Sequence, residues 1–298
     1  MKKIIVTGGQ GFIGSNLIEL LLKKKYFVIN IDKSSYSANP YNVRKFKNNK
    51  NYIFFKVDIN NRKKISKILN RYKPLGLFNL AAETHVDRSI DNPHAFLKTN
   101  IFGVFNLLEA VNLFNKNSKK KIKFVHVSTD EVYGDIKKNS QVNESYNYNP
   151  SSPYSASKAG ADQLIKSYNR TYGSNVIIVN SCNNYGPNQL PEKFIPKVIF
   201  NIIQNKSIPL YGKGTNIREW IYVQDNCEAL LKIFNKGKIG NNYNVGSGIR
   251  IKNLEVIKQI LNIAKKNKLI NKNKILVKFV KDRPGHDKRY ALNSSKII

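Results

Sequence analysis

The stretch Ser128-Thr129-Asp130-Glu131-Val132-Tyr133-Gly134 places a hydroxyl beside two adjacent carboxylates. A strand pattern from Lys121 to Val127, with Phe124 and Val125 at its centre, precedes it and reads as a buried strand, so the polar cluster falls at a sheet edge. In open α/β sheets that edge is where ligands bind. Neighbouring strand residues point to opposite faces. Asp130 and Glu131 can therefore serve one cleft only if the strand has ended and the chain is turning. We read them as a general acid and a general base, with Thr129 as a hydroxyl beside them. The next signal is Ser152-Pro153-Tyr154-Ser155-Ala156-Ser157-Lys158. Pro153 opens a helix that sets Tyr154 and Lys158 at i and i+4, on one face. An ammonium one turn away favours the phenolate of a tyrosine whose free pKa is ~10. Tyr154 would then be a base for an alcohol proton. The plain alternative is an exposed helix pair without chemistry, since Tyr-x-x-x-Lys is common by chance.

The elements that must position these residues begin at the N-terminus. Residues 2–7 form a short buried strand, Gly8-Gly9-Gln10-Gly11-Phe12-Ile13-Gly14 follows, and Ser15 to Lys24 reads as a helix. Strand, glycine turn and helix make a phosphate cradle, because glycine lets the backbone approach a pyrophosphate and the helix start offers free N–H groups. Gly8, Gly11, Phe12, Ile13 and Gly14 are the candidates there, although the spacing is not the basic Gly-x-Gly-x-x-Gly. Asp32 ends a second strand, where its carboxylate can accept from ribose hydroxyls and would repel a 2′-phosphate. NAD is thus favoured over NADP, a preference that neighbouring Lys33 weakens slightly. Asp58-Ile59 closes a third strand as an adenine contact or, equally, Asp58 caps the helix near Arg62. Ala81-Ala82 after a fourth strand leaves room for the cofactor. Glu83 to Ser89 reads as a polar loop carrying Thr84, His85 and Arg88. A helix from about Ala95 to Phe114 carries Thr99 on its first turns.

The expected fold is α/β: a doubly wound parallel, Rossmann-type sheet with a smaller C-terminal α/β substrate-binding lobe. The cofactor domain spans 1–180, with a segment returning near 222–240, and the lobe spans 181–298, interleaved with it. Residues 183–196 carry loop and short-helix signals. A strand is expected from Lys274 to Val280, and a polar loop over 282–287.

Among 298 residues, 51 are Lys or Arg against 19 Asp or Glu, a net charge of +32. The lysines fall in short clusters, Lys23–Lys25, Lys63–Lys64, Lys119–Lys121 and Lys265–Lys266, which fits solvated helix ends. No nucleic-acid motif accompanies them, so no nucleic-acid partner is expected; a positive surface still attracts an anionic substrate. No run reaches the ~20 apolar residues of a membrane span, and the N-terminal apolar part is too short for a signal peptide. A cytoplasmic protein without a membrane partner is expected. Cys182 and Cys227 read as buried free thiols. The four histidines lack metal-ligand spacing, and His126 reads as a core histidine.

Thr7-Gly8-Gly9, Ala81-Ala82-Glu83, the 128–134 cluster and Tyr154-x-x-x-Lys158 together resemble the extended short-chain dehydrogenase/reductases. Within that family, Asp130 before Glu131 is similar to the branch that dehydrates dTDP-glucose. Ser181-Cys182 reverses the order more usual there. Members of that branch continue well past the match to Tyr290-Ala291, so a last helix of the lobe is expected to be absent from this chain. The resemblance implies an NAD-dependent lyase. Tyr154, with Thr129, would deprotonate the C4 hydroxyl while Lys158 holds the ribose. Glu131 would take the C5 proton and Asp130 protonate the departing C6 hydroxyl. It also implies that Arg218 binds the diphosphate and Asn183 a neighbouring oxygen. Glu192 and Lys193 would approach the base, Arg283 and His286 would close the site, and Thr84, His85 and Arg88 would lie at the sugar end. For the arginines the alternative is a surface ion pair. A homodimer through the helices near 95 and 153 is implied as well. A decarboxylase or 4-epimerase on the same fold, or an inactive binding relative, are the competing readings.

Overall fold

The computed structural model describes residues 1–270 and 277–297. The chain opens with alternating strands and helices: β1 (Lys3–Thr7), α1 (Phe12–Lys23), β2 (Phe27–Asp32), α2 (Tyr41–Arg44), β3 (Tyr52–Lys56), α3 (Arg62–Tyr72) and β4 (Gly76–Asn79). Next come α4 (Val86–Asp91), α5 (Pro93–Phe96), a π-helical segment (Leu97–Phe102) and α6 (Gly103–Lys116). Then β5 (Lys123–Thr129) leads into a 3-10 turn (Asp130–Tyr133), followed by α7 (Pro153–Tyr172) and β6 (Val176–Ser181). The remainder is β7 (Asn183–Tyr185), α8 (Phe194–Ile203), β8 (Ile208–Tyr211), β9 (Ile217–Tyr222), α9 (Val223–Lys236), β10 (Asn242–Val245), β11 (Arg250–Lys252), α10 (Asn253–Lys266) and β12 (Val277–Val280).

Seven strands form one parallel sheet in the order β10-β6-β5-β4-β1-β2-β3. Strand order reverses between β1 and β4, and that switch point opens a crevice beyond the strand ends. Both faces are covered, as a parallel sheet requires. Ile4 and Val6 of β1 pack in one apolar cluster with Leu17 and Leu21 of α1 and Leu230 of α9. Ile5, pointing the other way, joins Ile65 of α3, Leu107 of α6 and Ile165 of α7. The lobe has its own small core of Val198, Ile202, Ile208, Leu210 and Ile257. It adds a three-stranded sheet, β11-β9-β7, and a parallel pair, β12-β8. Among the described residues no helix is long and apolar enough to cross a membrane.

Several local expectations are corrected. Glu83 to Ser89 is not all loop, because α4 starts at Val86. The helix expected from Ala95 to Phe114 is three joined segments with a π-helical middle. Residues 183–185 form a strand beside β9 rather than loop, and that pairing is long-range. Asn61, not Asp58, caps α3: its side chain accepts from Lys64 N at 3.1 Å. The expected strand from Lys274 to Val280 is present over Val277–Val280; its start, residues 274–276, lies outside the described residues.

Candidate active site

An open cleft, with a cavity volume of about 270 Å³, runs across the ends of β1, β2, β4, β5 and β6. Its walls include Gly8, Gly11, Phe12, Ile13, Gly14, Asp32, Lys33, Ile59, Ala81, Ala82, Thr84 and Thr99 toward β1 and β2. Thr129, Asp130, Glu131, Tyr154, Lys158, Asn183 and Lys193 line the other part.

The glycine turn is shaped by close approach. Gly8 has φ +70°, and a Cβ there would stand 2.8 Å from Ala81 N; one on Gly14 would meet Gly8 O at 2.2 Å. No side chain caps α1 at Gly11, so the helix start keeps free N–H groups for an anion. Asp32, the last residue of β2, accepts from Gln10 N at 3.0 Å and Ser34 N at 2.8 Å. Burial raises its pKa. Lys33 Nζ reaches Glu83 Oε1 at 3.2 Å and Thr99 Oγ1 at 3.3 Å. Asp58 is turned to its own turn, accepting from Asn60 N at 2.8 Å, while its neighbours Val57 and Ile59 line the cleft. A cradle of this shape, backed by a strand-end carboxylate, fits a dinucleotide.

The strand β5 ends at Thr129, and the 3-10 turn brings Asp130 and Glu131 to the same cleft. Thr129 Oγ1 accepts from Glu131 N and donates to Asp130 Oδ1, both at 3.2 Å. Asp130 is 3% exposed, and its Oδ2 is a buried oxygen without a hydrogen-bond partner. Burial first, and the Glu131 carboxylate second, push its pKa well above the usual range. Burial also raises Glu131, but Arg283 and Arg218 pull it back. The Tyr290 hydroxyl donates to Asp287 Oδ2 at 2.7 Å and stands 3.4 Å from Glu131 Oε2. Two adjacent carboxyl groups held in unlike environments divide into acid and base.

Tyr154 and Lys158 stand on the first turns of α7, which starts with a Ser152–Ser155 capping box and Pro153. Burial, then Glu131, keep Tyr154 as the phenol, and Thr129 is the neighbour that favours ionisation. The Lys158 ammonium donates to Val127 O at 2.8 Å and lies 3.2 Å from His126 Nε2. His126 is fully buried and partnered, as a core histidine should be.

On the lobe side the candidates divide. Asn183 and Lys193 line the cleft, and Lys193 Nζ donates to Thr84 O at 3.0 Å. Arg218 is neither a surface ion pair nor a cleft-lining group. It is buried over the Tyr290 ring and donates to Ile217 O and Asp287 O, both at 2.9 Å. His85, Arg88, Glu192 and Arg283 meet one another's elements at the rim. Arg88 Nη2 is 3.3 Å and His85 Nε2 4.0 Å from Glu192 Oε2, while Arg283 Nη1 is 3.5 Å from Asp87 Oδ1. His286 Nδ1 lies 2.6 Å from Asp282 Oδ1.

Sequence reasoning missed Ser35, Ser37, Ala38, Gln189 and Leu190 in the cleft wall. Ser35 to Ala38 read as polar loop; Asn39 N, bonded to Gln10 O at 3.0 Å, brings them in. Cys182 is a buried free thiol, raised by burial and by Asp130. Among the described residues no group of His, Cys, Asp and Glu could hold a metal ion.

Comparison with known proteins gives a consistent result. A family model described as GDP-mannose 4,6 dehydratase matches residues 5–298. The chain is 46% identical to the dTDP-glucose 4,6-dehydratase of Haemophilus influenzae, over 100% of this chain and 91% of that protein. The crystal structure of a Bacillus anthracis dTDP-glucose 4,6-dehydratase in complex with NAD matches with TM-score 0.89 at 39% identity, covering 100% of this chain and 89% of that one. A dTDP-glucose 4,6-dehydratase of Streptomyces venezuelae, with NAD and a second ligand bound, matches with TM-score 0.92 at 37% identity. It covers 99% of this chain and 89% of the other. The cradle, the strand-end carboxylate pair and the Tyr154/Lys158 helix therefore sit in a chain that belongs to the dTDP-glucose 4,6-dehydratase family, within the extended short-chain dehydrogenase/reductases.

Proposed function

We infer that the protein converts dTDP-glucose to dTDP-4-dehydro-6-deoxy-glucose and water, with NAD as a catalytic cofactor. The observation that carries this reading is the pair Asp130–Glu131, adjacent in sequence, sharing one cleft and held in different electrostatic surroundings. When bound, NAD takes a hydride from sugar C4 and gives it back at C6, so there is no net redox change.

The chain's own residues handle the protons. Tyr154 accepts the C4 hydroxyl proton, with Thr129 orienting that hydroxyl. Burial alone opposes the phenolate, so positive charge from the nicotinamide and from Lys158 must favour it. A C4 ketone makes the C5 hydrogen acidic. Glu131, eased toward its charged form by Arg283 and Arg218, removes that proton. Asp130, kept protonated by burial beside Glu131, delivers a proton to the C6 hydroxyl, which leaves as water. Glu131 gives its proton back to C5 as the hydride arrives at C6, and exchange with solvent returns Tyr154 and Asp130 to their starting states. Asp32, with Lys33 beside it, serves the ribose. The glycine turn with Phe12 and Ile13 serves the pyrophosphate, while Ile59, Ala81, Ala82 and Thr99 flank the cofactor. Asp58 supports the adenine end through its turn.

Asn183 and Lys193 are placed for the nucleotide, with Thr84 beside Lys193. Arg218 acts from behind, by field and by holding the 287–290 segment. Arg283, His286, His85, Arg88 and Glu192 form the rim that the substrate must cross. The apolar side chains Leu97, Phe102, Phe105 and Leu113 are exposed along the helices from 93 to 116, which supports a homodimer through that face. Light scattering at micromolar concentration checks it, and a clean monomer rejects it. A cytoplasmic location is the reading that goes with the family's chemistry. The functional test is incubation with dTDP-glucose and mass detection of the nucleotide sugar. Loss of one water supports the reading; a product of unchanged mass but inverted at C4 favours the epimerase, and no reaction of dTDP-glucose with loss of carbon dioxide from the corresponding nucleotide glucuronate favours the decarboxylase.

A further inference from the structure

A row of buried polar groups stands behind Lys158, where the proposed reaction makes no use of it; the inference below rests on the role given to Lys158 above. His126 on β5 has Nδ1 2.9 Å from Asn79 Nδ2 on the neighbouring strand, and Nε2 3.2 Å from Lys158 Nζ. Asn79 Oδ1 accepts from Thr7 Oγ1 at 2.7 Å, and Thr7 Oγ1 in turn accepts from Ala81 N at 3.3 Å. Asp162 lies one turn beyond Lys158 on α7. Its Oδ2 accepts from Ser128 Oγ at 2.7 Å and Tyr148 Oη at 3.0 Å, with Asn180 Nδ2 at 3.3 Å. Its Oδ1 has no hydrogen-bond partner and lies 3.7 Å from His126 Nε2. Thr7, Asn79, His126 and Asp162 are all 0% exposed. The row links the strand end before the glycine turn to the lysine at the reacting end.

Such a row cannot hold arbitrary proton positions. Burial and the Lys158 charge hold His126 well below its ordinary pKa, so the ring is neutral and has one N–H and one acceptor nitrogen. When Lys158 is an ammonium it donates to Nε2. The ring's proton then sits on Nδ1 and donates to Asn79 Oδ1, so the Asn79 amide takes the flip opposite to the one above and its Nδ2–H donates to Thr7 Oγ1. When Lys158 loses its proton, Nε2–H donates to the amine, Asn79 Nδ2 donates to Nδ1 and Thr7 Oγ1 donates to Asn79 Oδ1, the sense given above. The lysine's protonation, the imidazole tautomer and the Asn79 amide thus change together.

We propose that His126 and Asp162 are positioning residues for Lys158: Asp162 supplies the counter-charge that keeps it an ammonium, and His126 accepts its second hydrogen bond through a tautomer fixed by Asn79 and Thr7. Burial brings Lys158 down to about 8, and the Asp162 carboxylate works against that fall. The other titratable groups near Asp162 are Tyr133 and Tyr148 from the segment after β5, Lys166 from α7, and Tyr154 from the cleft side. Both tyrosines of that segment are raised by burial and stay neutral. Burial raises Asp162 as well, and Lys158 with the hydrogen bonds from Ser128, Tyr148 and Asn180 pull it back toward the carboxylate.

The sign follows directly. A needed ammonium gives activity below its pKa and loses it as pH rises through that value. Asp130 also closes the kcat profile on the alkaline side, so the Lys158 limb is read from the alkaline fall in NAD affinity, in which Asp130 takes no part, and removing the counter-charge must move that limb to lower pH. The experiment measures NAD affinity against pH by calorimetry, with full-length protein, for the parent, Asp162→Asn, His126→Leu and His126→Gln. The kcat and KM for dTDP-glucose at saturating NAD are taken in parallel. For Asp162→Asn the NAD limb is expected to move down by about one pH unit, the size of losing one close opposite charge. KM for dTDP-glucose should change by less than about two-fold. For His126→Leu, kcat should fall about ten-fold or more, as for loss of a hydrogen bond to a charged group. His126→Gln, with an acceptor near the position of Nε2, should recover most of it. An equal loss at every pH with an unmoved limb, or a His126→Gln no better than His126→Leu, overturns the proposal. If His126→Leu does not fold, Asp162→Asn and His126→Gln decide alone. A parent that releases no water from dTDP-glucose overturns the assigned reaction instead, and the NAD titration still tests the row.

Discussion

On the sheet side of the cleft the working side chains stand at strand ends: Asp32 closes β2, Thr129 closes β5, and Ala81 follows β4. On the lobe side they stand on loops and edges, held by contacts between distant residues. Arg218 and Asn216 both donate to Asp287 O, and Asp135 Oδ1 accepts from Lys288 N and Arg289 N. Tyr290, stacked on Arg218, then reaches back to the Glu131 carboxylate. The ladder of a parallel sheet fixes the first group with little freedom. The second group is fixed only once the lobe has packed. Chemistry should therefore be concentrated on the sheet side, and placement and closure on the lobe side.

The largest effect should come from Tyr154→Phe, which removes the proposed proton acceptor. Its kcat should fall by ~10²–10⁴-fold with NAD affinity nearly unchanged in calorimetry; a fall below ten-fold breaks the assignment of proton transfer to the sheet side. Next is the pH profile of kcat. Glu131 must be ionised, so activity falls as pH drops through its raised pKa. Asp130 must be protonated, so activity also falls as pH rises through its own, more strongly raised pKa. A bell is expected, and a rate that keeps rising with pH contradicts the division of roles. Gly14→Ala puts a Cβ against Gly8 O at 2.2 Å. It should cost about 1–3 kcal/mol in thermal unfolding and weaken NAD binding. Arg218→Ala should cost about as much in stability, from the lost bonds to Asp287 O and Ile217 O, but show mainly as a higher KM. The smallest change is expected for Arg283→Ala, whose ion pair with Asp87 sits at the rim and is worth ~1 kcal/mol or less in KM. Because both arginines draw Glu131 toward its charged form, either loss should also move the acid limb of kcat to higher pH; at the pH optimum, a larger fall in kcat than in affinity for either arginine would erase the contrast between the two sides.

The same contrast explains what was legible in the sequence. The glycine turn, Asp32, the 128–134 cluster and the Tyr154/Lys158 pair each announce themselves within a few residues, because periodicity and turn chemistry are local. Residues 183–185 were read as loop because nothing nearby shows that β9 lies alongside. Arg218 was expected at a diphosphate on the family resemblance. Its backbone partners are Ile217 O next door and Asp287 O, and no local pattern reveals the second. Asp58 was a candidate cap, but Asn61 stands one residue before the helix, where a cap must stand. His126 was correctly read as core, yet its reach to Lys158 needed the packing of α7 on β5.

The most direct measurement is the fate of the bound cofactor in Asp130→Asn. With dTDP-glucose added, oxidation at C4 should proceed while the C6 hydroxyl lacks its proton donor. Absorbance of the reduced cofactor should then build up to a sizeable fraction of the sites, with steady-state release of dehydrated sugar slowed by ~10²-fold or more. Unchanged turnover, or loss of turnover with no reduced cofactor formed, would contradict the assignment of Asp130 as the acid of the elimination.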